Sequence, residues 1–144
     1  MTRKHIVAGA LAVLVGLSSV PAMANSIWIE QNGWNHSVGG RHDGRHNEIG
    51  VYQNGWRNGA VAEQRGRRNL SAIGQDGARN RAVTDQRGRD NAAGAGQFGR
   101  DHNAIIIQDG NGNIAAGVQV GRGCDAEARQ NGNGNVAAIV QTCR

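Results

Sequence analysis

The 144-residue sequence contains one proline, one phenylalanine and one tyrosine. Its single lysine, Lys4, lies in the opening segment with Pro21, so arginine supplies nearly all later positive charge. Too few large apolar side chains remain for an ordinary packed core, and the 23 glycines and many asparagines point to either disorder or a repeat architecture. After residue 24 no stretch is apolar and long enough to cross a membrane as a helix. Also missing are a nucleophile–base set, paired acids in an apolar pocket and a phosphate loop. The glycines do not follow a strand–GxGxxG–helix arrangement, and no HExxH-like spacing occurs. An enzyme is not expected, nor is a cofactor, a metal site or a small-molecule substrate.

The opening segment has the parts of an export signal: the basic start MTRKH, the apolar stretch IVAGALAVLVGLSSV, and an Ala22-Met23-Ala24 site of the A-x-A type. The expected division is a signal peptide over 1–24 and one repeat domain over 25–144. The formal net charge of +5 suits an anionic partner such as polysaccharide, nucleic acid or a membrane surface.

Stepping by eleven from Gln31 lands on His42, Gln53, Gln64, Gln75, Gln86, Gln97, Gln108, Gln119, Gln130 and Gln141. Two places after these come Gly33, Gly44, Gly55, Gly66, Gly77, Gly88, Gly99, Gly110, Gly121 and Gly132, with Cys143 as the exception. A third column holds Asn25, His36, Asn47, Asn58, Asn69, Asn80, Asn91, His102, Asn113, Cys124 and Asn135. A period held without insertion or deletion from residue 25 onwards indicates a repeat fold rather than a polar tract.

Within each half-repeat the alternation has period two, as in Asn58, Ala60, Ala62, Gln64, which means strand. Seven-residue strands beginning at the Asn column are expected to alternate with four-residue turns of the form x-Gly-x-x, the glycine supplying a positive φ. The resulting fold is all-β: a β-solenoid of 11-residue half-repeats with two strands per 22-residue rung and cross-β stacking. Residues 22 apart then lie over one another, about 4.8 Å apart. A carboxamide carries donor and acceptor together, so stacked Asn and Gln columns are expected to bond in ladders that seal a thin core of Ala, Ile, Val and Ser. The histidines at 36, 42 and 102 read as amide substitutes.

The pattern Gln-x-Gly-x-x-Asn-x-Ala-x-x-x-Gln, as in QNGWRNGAVAEQ at 53–64, resembles the curlin repeat of bacterial curli amyloid subunits. The resemblance implies export across both membranes of a Gram-negative cell through the curli secretion machinery. It implies polymerisation outside the cell, with itself and a partner curlin subunit, into adhesive fibres of the biofilm matrix. It carries an assembly role onto Asn25, Gln31, Asn135 and Gln141 and the ladder between them. A fibre-forming major subunit is the favoured reading; a surface nucleator, or a monomeric solenoid that binds a surface, are the alternatives. Ice binding would call for ranks of threonine, yet only Thr84 and Thr142 follow the signal, and the GGxGxD nonapeptides of calcium-binding solenoids are missing. The sequence departs from the familiar pattern in having no separate leader before the first repeat and in carrying two cysteines.

Physical reasoning reaches assembly independently, because the terminal strands NSIWIEQ and NVAAIVQ leave open, weakly charged edges that no proline blocks. Arg45, Arg65, Arg67, Arg68, Arg87 and Arg89 fall in turns on one side and read as gatekeepers against early assembly and as a basic stripe for polyanions, or as a solvated edge. Cys124 and Cys143 permit one disulfide across the last two layers, a link between subunits, or free thiols.

Overall fold

The computed structural model describes residues 24–144, so the expected signal lies, Ala24 apart, outside the described residues. Eleven strands follow one another: β1 (Ser26–Trp34), β2 (Ser37–Arg45), β3 (Glu48–Trp56), β4 (Gly59–Arg67), β5 (Leu70–Ala78), β6 (Arg81–Arg89), β7 (Ala92–Arg100), β8 (Asn103–Asn111), β9 (Ile114–Arg122), β10 (Asp125–Asn133) and β11 (Val136–Cys143). Odd strands form a six-stranded sheet and even strands a five-stranded one, each in sequence order. All pairings are parallel, and every residue lies over the residue 22 positions away. The chain is therefore the expected β-solenoid, with two strands per rung.

Period-two alternation sets the two faces. In β4, Ala60, Ala62 and Gln64 are buried, while Val61 is exposed. The apolar core is a single file of small and branched side chains, among them Ile49, Val51, Ala62, Ile73, Ala82 and Ile106. Ser71 and Thr84 meet across it, hydroxyl to hydroxyl, at 2.7 Å, so neither buried oxygen lacks a partner. The sheets stand too close for rings, and Trp28, Trp34, Tyr52, Trp56 and Phe98 all lie outside.

Strand and turn boundaries differ from the expectation of seven-residue strands and four-residue turns. Ten strands run for nine residues and β11 for eight, and the periodic glycines lie inside the strand ends. The cause is that the turns stack as well. Arg57 N–H donates to the Trp34 carbonyl at 2.9 Å and Arg79 N–H to the Trp56 carbonyl at 3.0 Å, so ladder bonding continues through the bend.

Glycine is required there by close approach. At Gly66, with φ of 123°, a Cβ would stand 1.8 Å from the Gly88 carbonyl oxygen, and Gly88 stands in the same relation to Gly110 at 1.9 Å. Two residues further on, each bend has a second left-handed residue: Asn35, His46, Arg57, Arg68, Arg79, Asp90 and Asp101 have φ of 54–61°, and Gly112, Gly123 and Gly134 follow. A left-handed non-glycine residue costs on the order of 1–2 kcal/mol, which the stacked backbone bonds of the bend offset.

Two glycines of one sequence thus have opposite tolerances. Gly66→Ala is expected to lose at least about 3 kcal/mol, because backbone meets the new methyl and φ is unfavourable. Gly74→Ala, with nothing within 4 Å of its added Cβ, should change stability by no more than about 0.5 kcal/mol. Equilibrium denaturation of the two variants checks the contrast.

Candidate functional site

The amide columns are the most regular chemical feature of the molecule. Gln53, Gln64, Gln75, Gln86, Gln97, Gln108 and Gln119 have no exposed surface. In the six-stranded sheet Nε2 of Gln31, Gln53, Gln75, Gln97 and Gln119 donates to Oε1 of the glutamine one rung on, at 2.8–3.0 Å. In the five-stranded sheet Gln64, Gln86 and Gln108 do the same, ending on Gln130, at 2.8–2.9 Å. The second Nε2 hydrogen crosses the core to the opposite sheet: Gln75 to the Gly59 carbonyl at 3.0 Å, Gln86 to the Leu70 carbonyl at 2.9 Å. Each glutamine consequently ties rung to rung and sheet to sheet, and all bonds along one column point the same way.

The asparagines do something the sequence did not disclose. Expected amide-to-amide ladders occur only in places, as from Asn69 to Asn47 at 3.2 Å and Asn135 to Asn113 at 3.0 Å. The recurring bonds go to backbone instead. Asn47, Asn58, Asn69 and Asn91 each accept the N–H of the residue one rung on at 3.0–3.1 Å. Nδ2 of Asn25, Asn47, Asn58, Asn69, Asn80, Asn91 and Asn113 reaches the turn glycine carbonyl 19 residues ahead, at 2.8–3.2 Å. The shorter side chain, placed at the mouth of the bend, satisfies backbone groups that the bend would otherwise leave unpaired.

His36 and His102 fill the asparagine role with the ring: their Nδ1 atoms accept the N–H of Asn58 at 3.2 Å and of Cys124 at 3.1 Å. His42 stands in the glutamine column with its Nε2 buried and without a hydrogen-bond partner. Burial pushes its imidazole below the usual pKa, against the opposing effect of the Gln64 amide.

Cys124 and Cys143 are joined, with Cα atoms 5.5 Å apart and a sequence separation of 19. That separation is the asparagine-to-glycine one. The disulfide stands where the repeat elsewhere has an Nδ2–carbonyl bond, a covalent bond in place of a hydrogen bond. Closing so short a loop restricts the unfolded chain by about 3 kcal/mol in the chain-entropy account.

The arginines are arranged differently from the expected single stripe. Arg65, Arg68 and Arg87 pair with Glu63, Asp90 and Asp85 at 3.4, 2.6 and 2.8 Å. The Arg68 guanidinium holds the Asp90 carboxyl below the usual carboxylate range. Arg45, Arg67 and Arg89 stack directly in one column at their edge. The opposite edge is cationic too: Arg57 and Arg79 flank the Trp56 ring at 5.1 and 5.3 Å, and Arg100 stacks on Arg122. Reading the columns 22 apart would have shown both the Arg68–Asp90 and Arg79–Asp101 pairs, the latter at 2.6 Å.

Residues 77–110 match the family model of the curlin associated repeat. That segment is similar to a curlin repeat. No curated protein matches the chain. The matched segment holds the column glutamines Gln86, Gln97 and Gln108 and the turn glycines Gly77, Gly88, Gly99 and Gly110, and the eleven-residue period continues in the same register through the described strands on either side. Curlin repeat and solenoid together point to a structural protein. Among the described residues no group of three or more His, Cys, Asp or Glu side chains stands close enough to hold a metal ion.

The interior of the glutamine ladder should matter more than its end. Gln75→Ala leaves the Gln97 oxygen, a Gln53 N–H and the Gly59 carbonyl without their partners, and is expected to cost roughly 3 kcal/mol or more. Gln31→Ala, at the exposed end, should cost less than about 1 kcal/mol. Denaturant midpoints of the two variants measure the difference.

Proposed function

We propose that the protein is a structural subunit of extracellular curli-type amyloid fibres, exported by the signal at 1–24 and polymerising through residues 25–144. The observation that carries this reading is the open state of both ends. β1 and β2 at one end, and β10 and β11 at the other, each present a row of unpaired backbone groups in register with the repeat. An uncapped parallel edge is a template for another strand, and here the strand that fits best is another curlin repeat. Ile27 and Ile29 on β1 are about half exposed, although Ile49 and Val51, which stack on them one rung on, are fully buried. Ile27 and Ile29 are left uncovered only while that end remains free.

The fibre-forming role is favoured over the nucleating one because the ladder residues run the whole length of the domain, with no half-repeat lacking its strand. Partners are therefore further copies and a second curlin subunit, delivered by the outer-membrane secretion machinery of a Gram-negative cell. The assembled fibre would serve adhesion and the biofilm matrix. The Arg45–Arg67–Arg89 column gives it a basic line for anionic polysaccharide or DNA. Like charges stacked in the same column oppose premature association.

The test is to purify the 25–144 chain in denaturant and dilute it. Thioflavin-positive fibres formed by this chain alone are the expected result. A lasting soluble monomer would defeat the fibre reading, and fibres appearing only when a second curlin is supplied would assign this chain the lesser role.

A further inference from the structure

The described strands number eleven, and for copies of the 25–144 chain an odd number fixes how they can join. Strands alternate between sheets, so after β11 the next position in the solenoid lies over β10, in the five-stranded sheet. We propose that successive copies stack end to end with a half-turn between them, the incoming β1 pairing with β10 and the incoming β2 with β11. The six-stranded sheet of one copy thus continues the five-stranded sheet of the copy before it. This rests on the assembly reading above.

Three features of the ends support this joint. The first is polarity. Glutamine Nε2 donates towards the C-terminal end in every bond of both columns, so Gln130 and Gln141 offer their N–H groups outward. The N-terminal end presents the Gln31 oxygen, which no glutamine of the same chain reaches. In the half-turn register Gln130 meets Gln31 of the next copy and Gln141 meets its His42. The Gln31 oxygen thus gains a donor from Gln130, and two like ends cannot join.

The second feature is charge. The same register sets Arg129, on the outer face of β10, beside Glu30 of the incoming β1. Parallel neighbours of opposite charge attract, and Arg129, which pairs with Glu127 of its own strand, then stands between two carboxylates. The third is completeness. Stacking without rotation puts β1 on β11 and leaves β10 and the incoming β2 separated by the width of a missing strand. All the backbone groups of Asp125–Asn133 that face it would stay unpaired. Cys143, which stands at a glycine position of the joint, has no positive φ and its side chain is bonded to Cys124, so no Cβ is aimed at the incoming carbonyl as it would be at Gly66.

The half-turn also decides what the fibre shows. The outer face of the six-stranded sheet carries Tyr52, Gly74, Gly96 and Val118 in one column, and that of the five-stranded sheet carries Arg41, Glu63 and Asp85. With rotation, apolar and charged patches alternate along each side, about 26 Å each from five and a half rungs. Without it, one apolar face would run the length of the fibre and draw fibres together.

Helical reconstruction of fibres of the 25–144 chain by electron cryomicroscopy tests the joint. A rotation near 180° per subunit with a rise of about 26 Å is expected. Fibres with no rotation and a rise of about 29 Å, six whole rungs, would overturn the half-turn while leaving assembly intact. Absence of fibres would overturn the assembly reading and the joint together. In seeded growth, Glu30→Arg and Arg129→Glu should each slow elongation about fivefold, and the double variant should recover to within about twofold. A double variant slower than either single would overturn the Arg129–Glu30 contact.

Discussion

The whole structure depends on the bond between one buried glutamine carboxamide and the next. A side chain that is both donor and acceptor costs free energy to bury unless both functions are met, and in a thin core there are few groups to meet them. Repetition at a fixed separation of 22 residues solves this, since each amide finds an identical amide one rung away and a backbone carbonyl across the core. Once that separation is imposed, the rest follows. The sheets must be parallel and in register, the turns must stack on turns, and the glycine whose Cα faces a carbonyl under 2 Å from any Cβ admits no other residue. The core can then hold only side chains that fit between two close sheets. The rings are forced outside, where Trp56 lies between two guanidinium groups.

Each end of such a ladder is incomplete, and the two ends are incomplete in opposite senses. Donors face outward at Gln130 and Gln141, and an acceptor at Gln31. The solenoid is thus polar in its side chains as well as in its parallel backbone. The disulfide fits the same scheme. It occurs only in the last rung, where no further turn glycine follows Cys124 in the asparagine column, and it holds by a covalent bond the corner that other rungs hold by Asn Nδ2. The proposed export would give the oxidising surroundings in which such a bond persists.

The period of eleven, the inward and outward faces of every strand, and the glutamine ladders were all legible in the sequence, because each is a matter of residue identity at fixed spacing. The second left-handed position in each bend was not legible. It is filled by Asn35, His46, Arg57 and Asp90 among others, and what permits it is a backbone bond to the rung below that leaves no mark on residue type. The asparagines were misread in part for the same reason: their partners are mainly carbonyls and N–H groups, which every residue possesses. The arginine columns were legible only once the 22-residue stacking was applied to the turns as well as to the strands. That step pairs Arg68 with Asp90 and removes it from the free basic surface.

The most direct test of the central claim is hydrogen exchange at the glutamine side-chain amides, followed by NMR on the folded 25–144 chain. The Nε2 hydrogens of Gln53, Gln75, Gln97 and Gln119 should exchange far more slowly than the side-chain amide of exposed Asn131. Exchange of these glutamine amides at the rate of Asn131 would contradict the account, because the ladder would then not be holding the rungs together.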